Sequence, residues 1–242
     1  MASLSEKKRK IRELIKAAKL NVDADNLKEA GKKIHQALEI AKNIRSEELL
    51  SQINEFIQEF TYSVETQAIE LNPIGTDGFI LDIGGGGEGI IGKLNGKQVV
   101  AIDRSKRELE ETQNEALKVV MDATDLKFLS QSFDFCTSFF SLMYIPKSSH
   151  LKVFKELYRV LKDNGRFLLW DVEIPKRFGD FKAFIVRLRV ELPDEEIEAG
   201  YCVEWQEQNI EYFKELARKT KFKIVNELSK GEIFHLEMSK EK

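Results

Sequence analysis

Residues 1–71 carry apolar side chains at intervals of three and four positions, the spacing of amphipathic α-helices. Three helices are predicted over this stretch, with Asn26 and Ser46 as N-terminal caps of the second and third. The third helix is expected to run on towards Ala68 and to stop at Asn72 and Pro73. The predicted apolar faces consist of Ile11, Leu14, Ile15 and Ala18, then Leu27, Ala30, Ile34, Ala37, Leu38, Ala41 and Ile44, then Leu49, Leu50, Ile53, Phe56, Ile57 and Phe60.

From Phe79 onward, short apolar runs alternate with helical patterns, which is typical of βαβ units and a parallel sheet. Helices are predicted at Leu151–Leu161, capped by Ser148 or Ser149, and near Asn209–Lys219. The last two strands lie close enough to form a hairpin, so one strand of the sheet is expected to run antiparallel. The predicted strands are Phe79–Ile83, Gln98–Ile102, Lys118–Met121, Phe133–Ser138, Arg166–Asp171, Phe222–Glu227 and Glu232–Met238.

Residues 178–205 interrupt this alternation with a period of two. Apolar positions from Phe184 to Leu192 alternate with polar ones such as Arg187, which is the pattern of a strand with one polar face. We predict an inserted β-hairpin at 178–205. It lies within a domain of residues 61–242 that follows a helical segment of residues 1–60.

Composition and charge argue against several classes of function. The 242 residues carry a formal net charge of -3, which provides no strong field for nucleic acid or an anionic membrane. No apolar run approaches the roughly 20 residues that span a bilayer, and the basic, polar start does not resemble a secretory signal. We therefore expect a cytoplasmic protein with no membrane insertion and no nucleic acid partner, in which Cys136 and Cys202 are reduced core residues.

The clearest chemical signal is an apolar strand that ends in an acid and runs into glycines, Phe79–Gly89. Glycine lets a ligand approach the bare backbone, and amides at the start of the next helix favour an anionic group. Asp103 ends the following strand, where an acid can bind both hydroxyls of a ribose. Gly84, Gly86 and Gly89 satisfy the dinucleotide fingerprint, so this loop leaves both a dinucleotide and S-adenosylmethionine open.

Later segments discriminate between these cofactors. An acid follows the third strand in Met121-Asp122-Ala123, and the next strand begins Ser132-Phe133-Asp134. A further block carries Glu156, Arg159, Val160, Leu161, Lys162 and Gly165. In this order, over residues 60–240, the chain resembles class I S-adenosylmethionine-dependent methyltransferases, in particular the small-molecule type similar to quinone-biosynthesis methyltransferases. The resemblance implies an α/β fold with a Rossmann-like, seven-stranded, mostly parallel sheet whose last strand is antiparallel.

The resemblance also implies S-adenosylmethionine as cofactor. Asp103 would hold its ribose, Arg104 would flank the adenine, and Asp122 would accept from the adenine amino group. The residues just past the fourth strand would close over the sulfonium. Glu88 stands where the family pattern has its last glycine. The implied cofactor-binding residues are Asp82, Gly84, Gly85, Gly86, Asp103, Arg104, Asp122, Ala123, Ser138, Phe139 and Phe140.

No catalytic residue is identified, because methyl transfer needs a general base only when the acceptor is protonated. Tyr144, which stands where family members often carry histidine, and His150 are candidates. Tyr144, Tyr201 and Trp205 are candidates for binding the methyl acceptor. Tyr62, expected on a helix, is a candidate for a cofactor contact. No cluster with metal-like spacing is seen, so no metal is expected.

The function interpreted from these features is methyl transfer to a small molecule by in-line displacement. The alternatives are an NAD(P)-dependent oxidoreductase, for which too little chain remains to form a substrate domain, and a non-catalytic S-adenosylmethionine-binding scaffold. The helices of residues 5–60 resemble one tetratricopeptide-type hairpin, which needs a neighbour to cover its apolar face. A homodimer or a protein partner at this segment stays open, and the inserted hairpin is either a substrate lid or a dimer edge.

Overall fold

The computed structural model of this chain describes residues 3–242, so Met1 and Ala2 of the predicted helical segment lie outside the described residues. The chain divides into two compact units. The first comprises the residues up to Ser63 with Arg177–Ile185 and Cys202–Trp205, and the second comprises Val64–Lys176, Val186–Tyr201 and Gln206–Lys242. The predicted insertion at 178–205 therefore contributes residues to both units.

Three helices make up most of the first unit and use the predicted apolar faces. They are α1 (Leu4–Asp23), α2 (Leu27–Asn43) and α3 (Glu47–Phe60). A capping box begins α1, because Ser3 Oγ accepts from the Glu6 amide and the Glu6 carboxylate accepts from the Ser3 amide. Asn26 caps α2 as predicted, by accepting from the Glu29 amide at 3.3 Å. Ser46 precedes α3 but makes no capping bond through its side chain. The fully buried residues of one core cluster include Ile11, Ala37, Ala41, Leu49 and Ile53.

The third helix ends earlier than predicted. It stops at Phe60, and strand β1 (Thr61–Ser63) follows where a helix running on to Ala68 was expected. β1 pairs in parallel with the start of the insertion, with Thr61 opposite Ala183 and Ser63 opposite Ile185. This pairing satisfies the backbone groups that another helical turn would have satisfied. The prediction failed because the partner lies far away in sequence.

The second unit contains the predicted α/β fold, and two of its strands also reach into the first unit. Its elements in chain order are β2 (Gln67–Glu70), β3 (Ile80–Ile83), α4 (Ile90–Asn95), β4 (Val99–Asp103), α5 (Lys106–Glu111), β5 (Leu117–Val120), β6 (Phe133–Phe139), α6 (Lys147–Val160), β7 (Leu161–Val172), the two shared strands β8 (Ala183–Glu191) and β9 (Glu196–Glu204), α7 (Ile210–Lys219), β10 (Phe222–Lys230) and β11 (Ile233–Lys240).

Seven strands form one sheet in the order β10-β11-β7-β6-β3-β4-β5. β11 runs antiparallel to both its neighbours, whereas the other neighbouring pairs are parallel. The sheet therefore confirms the predicted Rossmann-like, mostly parallel topology with an antiparallel last strand. β3 lies at the point where the strand order reverses, which is where open α/β sheets bind ligands.

The seven predicted strands of this sheet form in the predicted chain order, but β2 was not predicted and the ends of some elements differ from the prediction. α6 begins at Lys147 with Pro146 at its N-cap, so the caps predicted at Ser148 or Ser149 were wrong. β7 already begins at Leu161, and the pairing of β6 with β7 shifts register between Phe133 and Phe135. The strand predicted at Arg166–Asp171 is thus the later part of a longer, irregular strand.

The predicted hairpin forms from β8 and β9, which pair with each other. In the second unit, Val186, Leu188 and Val190 are buried, and the intervening Arg187 and Arg189 are exposed, as the period of two indicated. β8 also pairs in parallel with β2, which the sequence had not indicated. The insertion is therefore part of a second sheet rather than an isolated hairpin.

Helices α6 and α7 contribute to the main apolar core of the second unit. Its fully buried members include Leu81, Phe154, Phe167, Phe213 and Leu236, together with the predicted core residue Cys136. Cys202 in the first unit is exposed, so its prediction as a core residue was wrong. In an extended strand neighbouring side chains alternate, and Val203 takes the buried side. No helix within residues 3–242 is both long and apolar enough to cross a membrane.

A buried carboxyl group lies near the end of β7. Asp171 Oδ1 accepts from the Val172 amide and from Gln208 Nε2, both at 2.8 Å. Asp171 Oδ2 and Gln208 Oε1 are buried and, within the described residues, have no hydrogen-bond partner. Burial raises the pKa of Asp171 to about 7. A proton on this carboxyl group would turn one acceptor oxygen into a donor, so the neutral form suits this environment.

We expect Asp171 to make the free energy of unfolding depend on pH. Its pKa rises from 3.8 to about 7 on folding, so the folded state binds more protons between these values and stability falls as pH rises from about 4 to 7. Asp171→Asn cannot ionise and should remove this contribution, which is at most about 4 kcal/mol. Urea unfolding at pH 5 and pH 8 measures the difference, with the exposed Asp125→Asn as control. If Asp171→Asn changed the free energy of unfolding by the same amount at pH 5 and at pH 8, the carboxyl group of Asp171 would be ionised in the folded protein at both pH values.

Candidate functional site

The carboxyl ends of β3, β4 and β6 open onto one cavity of about 610 Å³ within the second unit. Parallel strands end at the same edge of a sheet, and β3 lies between β4 and β6, so the loops that follow them converge. The lining residues come from 82–90, 102–104, 108, 121–124, 139–141, 144–146, 149 and 200–201. The glycine motif and the two acids singled out in the sequence therefore lie around the same cavity.

The glycine loop is tied to β4 and presents bare backbone. The amides of Gly84 and Gly85 donate to the Ile102 carbonyl at 2.8 and 3.1 Å. Gly84 has a φ of +71°, a left-handed conformation that favours glycine. A Cβ on Gly85 would lie 2.6 Å from Asp82 Oδ2 and 2.8 Å from the Ala101 Cβ. Only glycine fits here, and a ligand can therefore approach the backbone closely.

Asp82 lies at the end of β3 and is 3% exposed. Thr137 Oγ1 donates to its Oδ1 at 2.7 Å. Burial raises the pKa of Asp82 to about 7, and the nearby charge of Asp103 acts in the same direction. A cationic ligand group close to this carboxyl group would favour its ionised form.

Asp103 ends β4, and its two oxygens have different surroundings. Oδ1 accepts from the Ser105 amide at 2.7 Å. Oδ2 lies close to Gly86, since a Cβ built there would be 3.1 Å away from it. One oxygen is thus held by the backbone, and the other faces the glycine loop at the cavity.

Asp122, after β5, lines the same cavity with Ala123. Its Oδ1 accepts from the Thr124 amide at 2.8 Å, and this bond is the main cause that lowers the pKa of Asp122. Arg104 Nε lies 3.6 Å from Asp122 Oδ2, in an exposed pair. This end of the cavity therefore has an ionised carboxylate beside a guanidinium.

The chain after β6 turns sharply at the cavity. Phe140 has a φ of +48°, which is uncommon for a residue other than glycine, and its amide donates to the Trp170 carbonyl at 2.9 Å. Phe139 and Phe140 line the cavity as predicted. Ser138 does not, because it is fully buried behind Ser141, with 2.6 Å between the two hydroxyl oxygens. Ser141, which also donates to the Ile83 carbonyl, takes its place in the lining.

Two tyrosines predicted near the methyl acceptor line the cavity. Tyr144 is 53% exposed. The Tyr201 ring, from β9, stacks on Phe140 with centroids 5.7 Å apart and planes 9° apart. The Tyr201 hydroxyl donates to Glu88 Oε2 at 3.5 Å. Sequence reasoning noticed Glu88 only as a departure from the glycine pattern and did not foresee this contact.

His150, predicted as a catalytic candidate, is fully buried. Its Nε2 lies 3.0 Å from the Leu142 carbonyl oxygen and 2.8 Å from that of Ile145, and its Nδ1 lies 3.0 Å from the Tyr212 hydroxyl. Burial lowers its pKa. The prediction was wrong, since position in sequence near the carboxyl end of the sheet does not reveal which way a side chain points.

Two further aromatic candidates belong to the first unit instead. Tyr62 lies on β1 rather than on a helix, and its ring is 5.9 Å from that of Trp205. Phe178, Phe181 and Phe184 complete this aromatic cluster. Neither Tyr62 nor Trp205 is among the described residues that line the cavity. Within residues 3–242, no three His, Cys, Asp or Glu side chains form a group that could hold a metal ion.

Comparison with known proteins adds a family match. Residues 81–169 match the family described as a methyltransferase domain. A demethylmenaquinone methyltransferase from Bacillus velezensis is 33% identical over 72 residues, which is 30% of this chain and 30% of that protein. The matching segment therefore spans less than a third of the curated relative.

Solved structures share the fold at low identity. A methyltransferase dependent on S-adenosylmethionine from Methanosarcina mazei is 19% identical, with 72% of this chain and 99% of that chain covered and a TM-score of 0.52. Another from Clostridium acetobutylicum is 14% identical, with 69% and 85% covered and a TM-score of 0.51. At these identities the likeness shows a common fold.

We expect Gly85→Ala to destabilise the loop through lack of space alone, because its backbone does not require glycine but the added Cβ meets Asp82 and Ala101. Overpacking of this kind costs about 1–3 kcal/mol. Urea unfolding measures the loss against Gly75→Ala, whose Cβ would meet nothing within 4 Å. Equal stability of the two variants would mean that the loop can shift away from Asp82.

Proposed function

We propose that this chain, whose residues 81–169 form a class I S-adenosylmethionine-dependent methyltransferase domain, transfers a methyl group to a small-molecule acceptor. The match of residues 81–169 to a methyltransferase domain family supports this proposal, of which S-adenosylmethionine as the cofactor is a part. The activity of the whole chain is our proposal. The observation that carries it is the convergence of Asp82, the glycine loop, Asp103 and Asp122 on one cavity.

The cavity suits this cofactor in size and chemistry. A volume of about 610 Å³ lies in the range that takes a small organic ligand. The free oxygen of Asp103 would accept from the ribose hydroxyls, and Asp122 would accept from the adenine amino group. The methionine part would lie along the backbone of the glycine loop, with its ammonium group near Asp82. The cofactor can approach the backbone there because the glycines of that loop have no side chains.

The protein would act by alignment and by exclusion of water rather than by side-chain chemistry. When bound, the cofactor supplies a methyl group on a sulfonium, and the acceptor electron pair forms its bond to carbon as the carbon–sulfur bond breaks towards sulfur. Phe139 and Phe140 would provide an apolar wall at this point. Tyr144 and Tyr201 would position the acceptor beyond it.

Neither alternative function is favoured. Gly89 satisfies the dinucleotide spacing but N-caps a six-residue helix, α4, and the antiparallel β11 is a feature of the methyltransferase family that dinucleotide folds usually lack. A scaffold without an acceptor site does not require the space that extends to Tyr144 and Tyr201.

The proposal also covers the acceptor and the partners. A small acceptor agrees with a cavity of about 610 Å³ and with the net charge of -3, and the Bacillus velezensis relative is named for demethylmenaquinone. Tyr201 in the lining supports the inserted hairpin as a substrate lid rather than a dimer edge.

We further propose a cytoplasmic enzyme without a nucleic acid partner. Its tetratricopeptide-like helices would bind a second copy or another protein, which light scattering of the purified protein tests for the homodimer.

We expect S-adenosylhomocysteine to bind the purified protein and NADH not to bind. Asp103→Ala should weaken S-adenosylhomocysteine binding by about 10- to 100-fold, because hydrogen bonds to a charged group contribute about 1.5–3 kcal/mol. Isothermal titration measures both ligands. Asp125→Ala, which removes an exposed acid paired with Lys127 outside the cavity, is the matched control. Binding of NADH alone would contradict the proposed function and favour the oxidoreductase.

A further inference from the structure

Glu88 places a carboxylate in the cavity without an ion-pair partner among the described residues. It is half-buried and lines the cavity, and the Tyr201 hydroxyl donates a hydrogen bond to it. No Lys, Arg or His nitrogen of residues 3–242 forms an ion pair with it within 4 Å. Among the described lining residues, Arg104 is the one cationic side chain, and it lies beside Asp122.

The other carboxyl groups of the lining already have partners. Asp82 accepts from Thr137, Asp103 from the Ser105 amide, and Asp122 from the Thr124 amide. Glu108 pairs with Arg107 at 3.5 Å. Glu88 and Asp82 are thus the lining carboxyl groups that have a hydroxyl donor but neither a cation nor a backbone amide beside them, and Glu88 is the more exposed of the two. A cationic ligand group beside Glu88 would stabilise its negative charge.

An aromatic stack lies next to this carboxylate, because the Tyr201 hydroxyl that contacts Glu88 belongs to a ring stacked on Phe140. The Tyr201 and Phe140 rings are nearly parallel, with 9° between their planes and 5.7 Å between their centroids. Burial raises the pKa of the Tyr201 hydroxyl far above its ordinary value, so this hydroxyl stays a donor to Glu88. A cation near aromatic rings is attracted by their π faces. An anionic acceptor would instead meet Glu88 without any compensating cation.

We propose that the Glu88–Tyr201 pair selects an amine as the methyl acceptor. The inference rests on the proposed function, since it assigns the acceptor end of the same cavity. The ammonium group of the acceptor pairs with the Glu88 carboxylate and lies against the Tyr201 and Phe140 rings. The proton that the nitrogen must lose before it can attack has an acceptor in Glu88. Tyr201 is a positioning residue that orients this carboxylate.

A binding experiment tests the proposal without turnover. The protein is saturated with S-adenosylhomocysteine and titrated at pH 8 with 2-phenylethylamine and with 2-phenylethanol. The two probes share the same phenylethyl group, but the first carries a charged ammonium group and the second a neutral hydroxyl group. We expect the wild type to bind the amine at least about tenfold more tightly than the alcohol, as for a charge-assisted hydrogen bond. Glu88→Gln should reduce this ratio to near one. Glu115→Gln, an exposed acid paired with Lys97, should preserve it.

Two further measurements separate the role of Glu88 from other effects. Glu88→Gln should bind S-adenosylhomocysteine within about twofold of the wild type, because the cofactor has Asp82 for its ammonium group. Tyr201→Phe keeps the stacked ring and should weaken only the amine, by about three- to tenfold. Circular dichroism confirms that each variant is folded.

The outcomes are distinguishable. Equal affinity for amine and alcohol, no binding of either, or an amine preference that survives Glu88→Gln would overturn the proposal. Loss of S-adenosylhomocysteine binding in Glu88→Gln would assign Glu88 to the cofactor and would overturn it as well. Failure of the wild type to bind S-adenosylhomocysteine would instead overturn the proposed function, and this inference with it.

Discussion

The parallel pairing of β3 with β4 on one side and β6 on the other is the constraint on which the site depends. In this register Ile83 lies opposite both Ile102 and Ser138, so the three strands end at one level. Leu81 and Ile83 point into the apolar core, and Asp82 between them must take the other face. A slip of one residue would exchange these faces. The apolar core therefore also holds the acid in place beneath the glycine loop.

Three unfavourable features of the second unit lie near the carboxyl ends of β3, β6 and β7. Phe140 has a left-handed backbone, and Asp82 and Asp171 are carboxyl groups in fully desolvated positions. Each feature costs free energy that the surrounding core must offset. The two carboxyl groups differ in position, since Asp82 lines the cavity and Asp171 does not. A ligand cation can stabilise the ionised form of the first, whereas the second has only Gln208 and backbone amides beside it.

The inserted segment contributes to the site through a single strand. β9 carries Gly200 and Tyr201 to the cavity, and the stack of Tyr201 on Phe140 joins an inserted residue to the end of β6. Glu88 receives its hydrogen bond from the same tyrosine. The proposed choice of acceptor thus depends on the insertion, whereas the residues proposed to bind the cofactor lie at the ends of the sheet strands and in the loops that follow them. Such a division would let the acceptor change while the cofactor site stays the same.

The sequence by itself determined the order of the main strands and helices and most of the residues that line the cavity, because these follow from local patterns, whereas the seven-stranded sheet topology came from the family resemblance. Strand periodicity, glycines after a buried strand and acids at strand ends are each read within a few positions. The tertiary structure decided what depends on distant partners. β8 ended α3 at Phe60 by pairing with β1, core packing turned His150 away from the cavity, and Ser141 displaced Ser138 from its lining. The contact between Glu88 and Tyr201 joins residues far apart in the chain, and local spacing carries no information about such a pair.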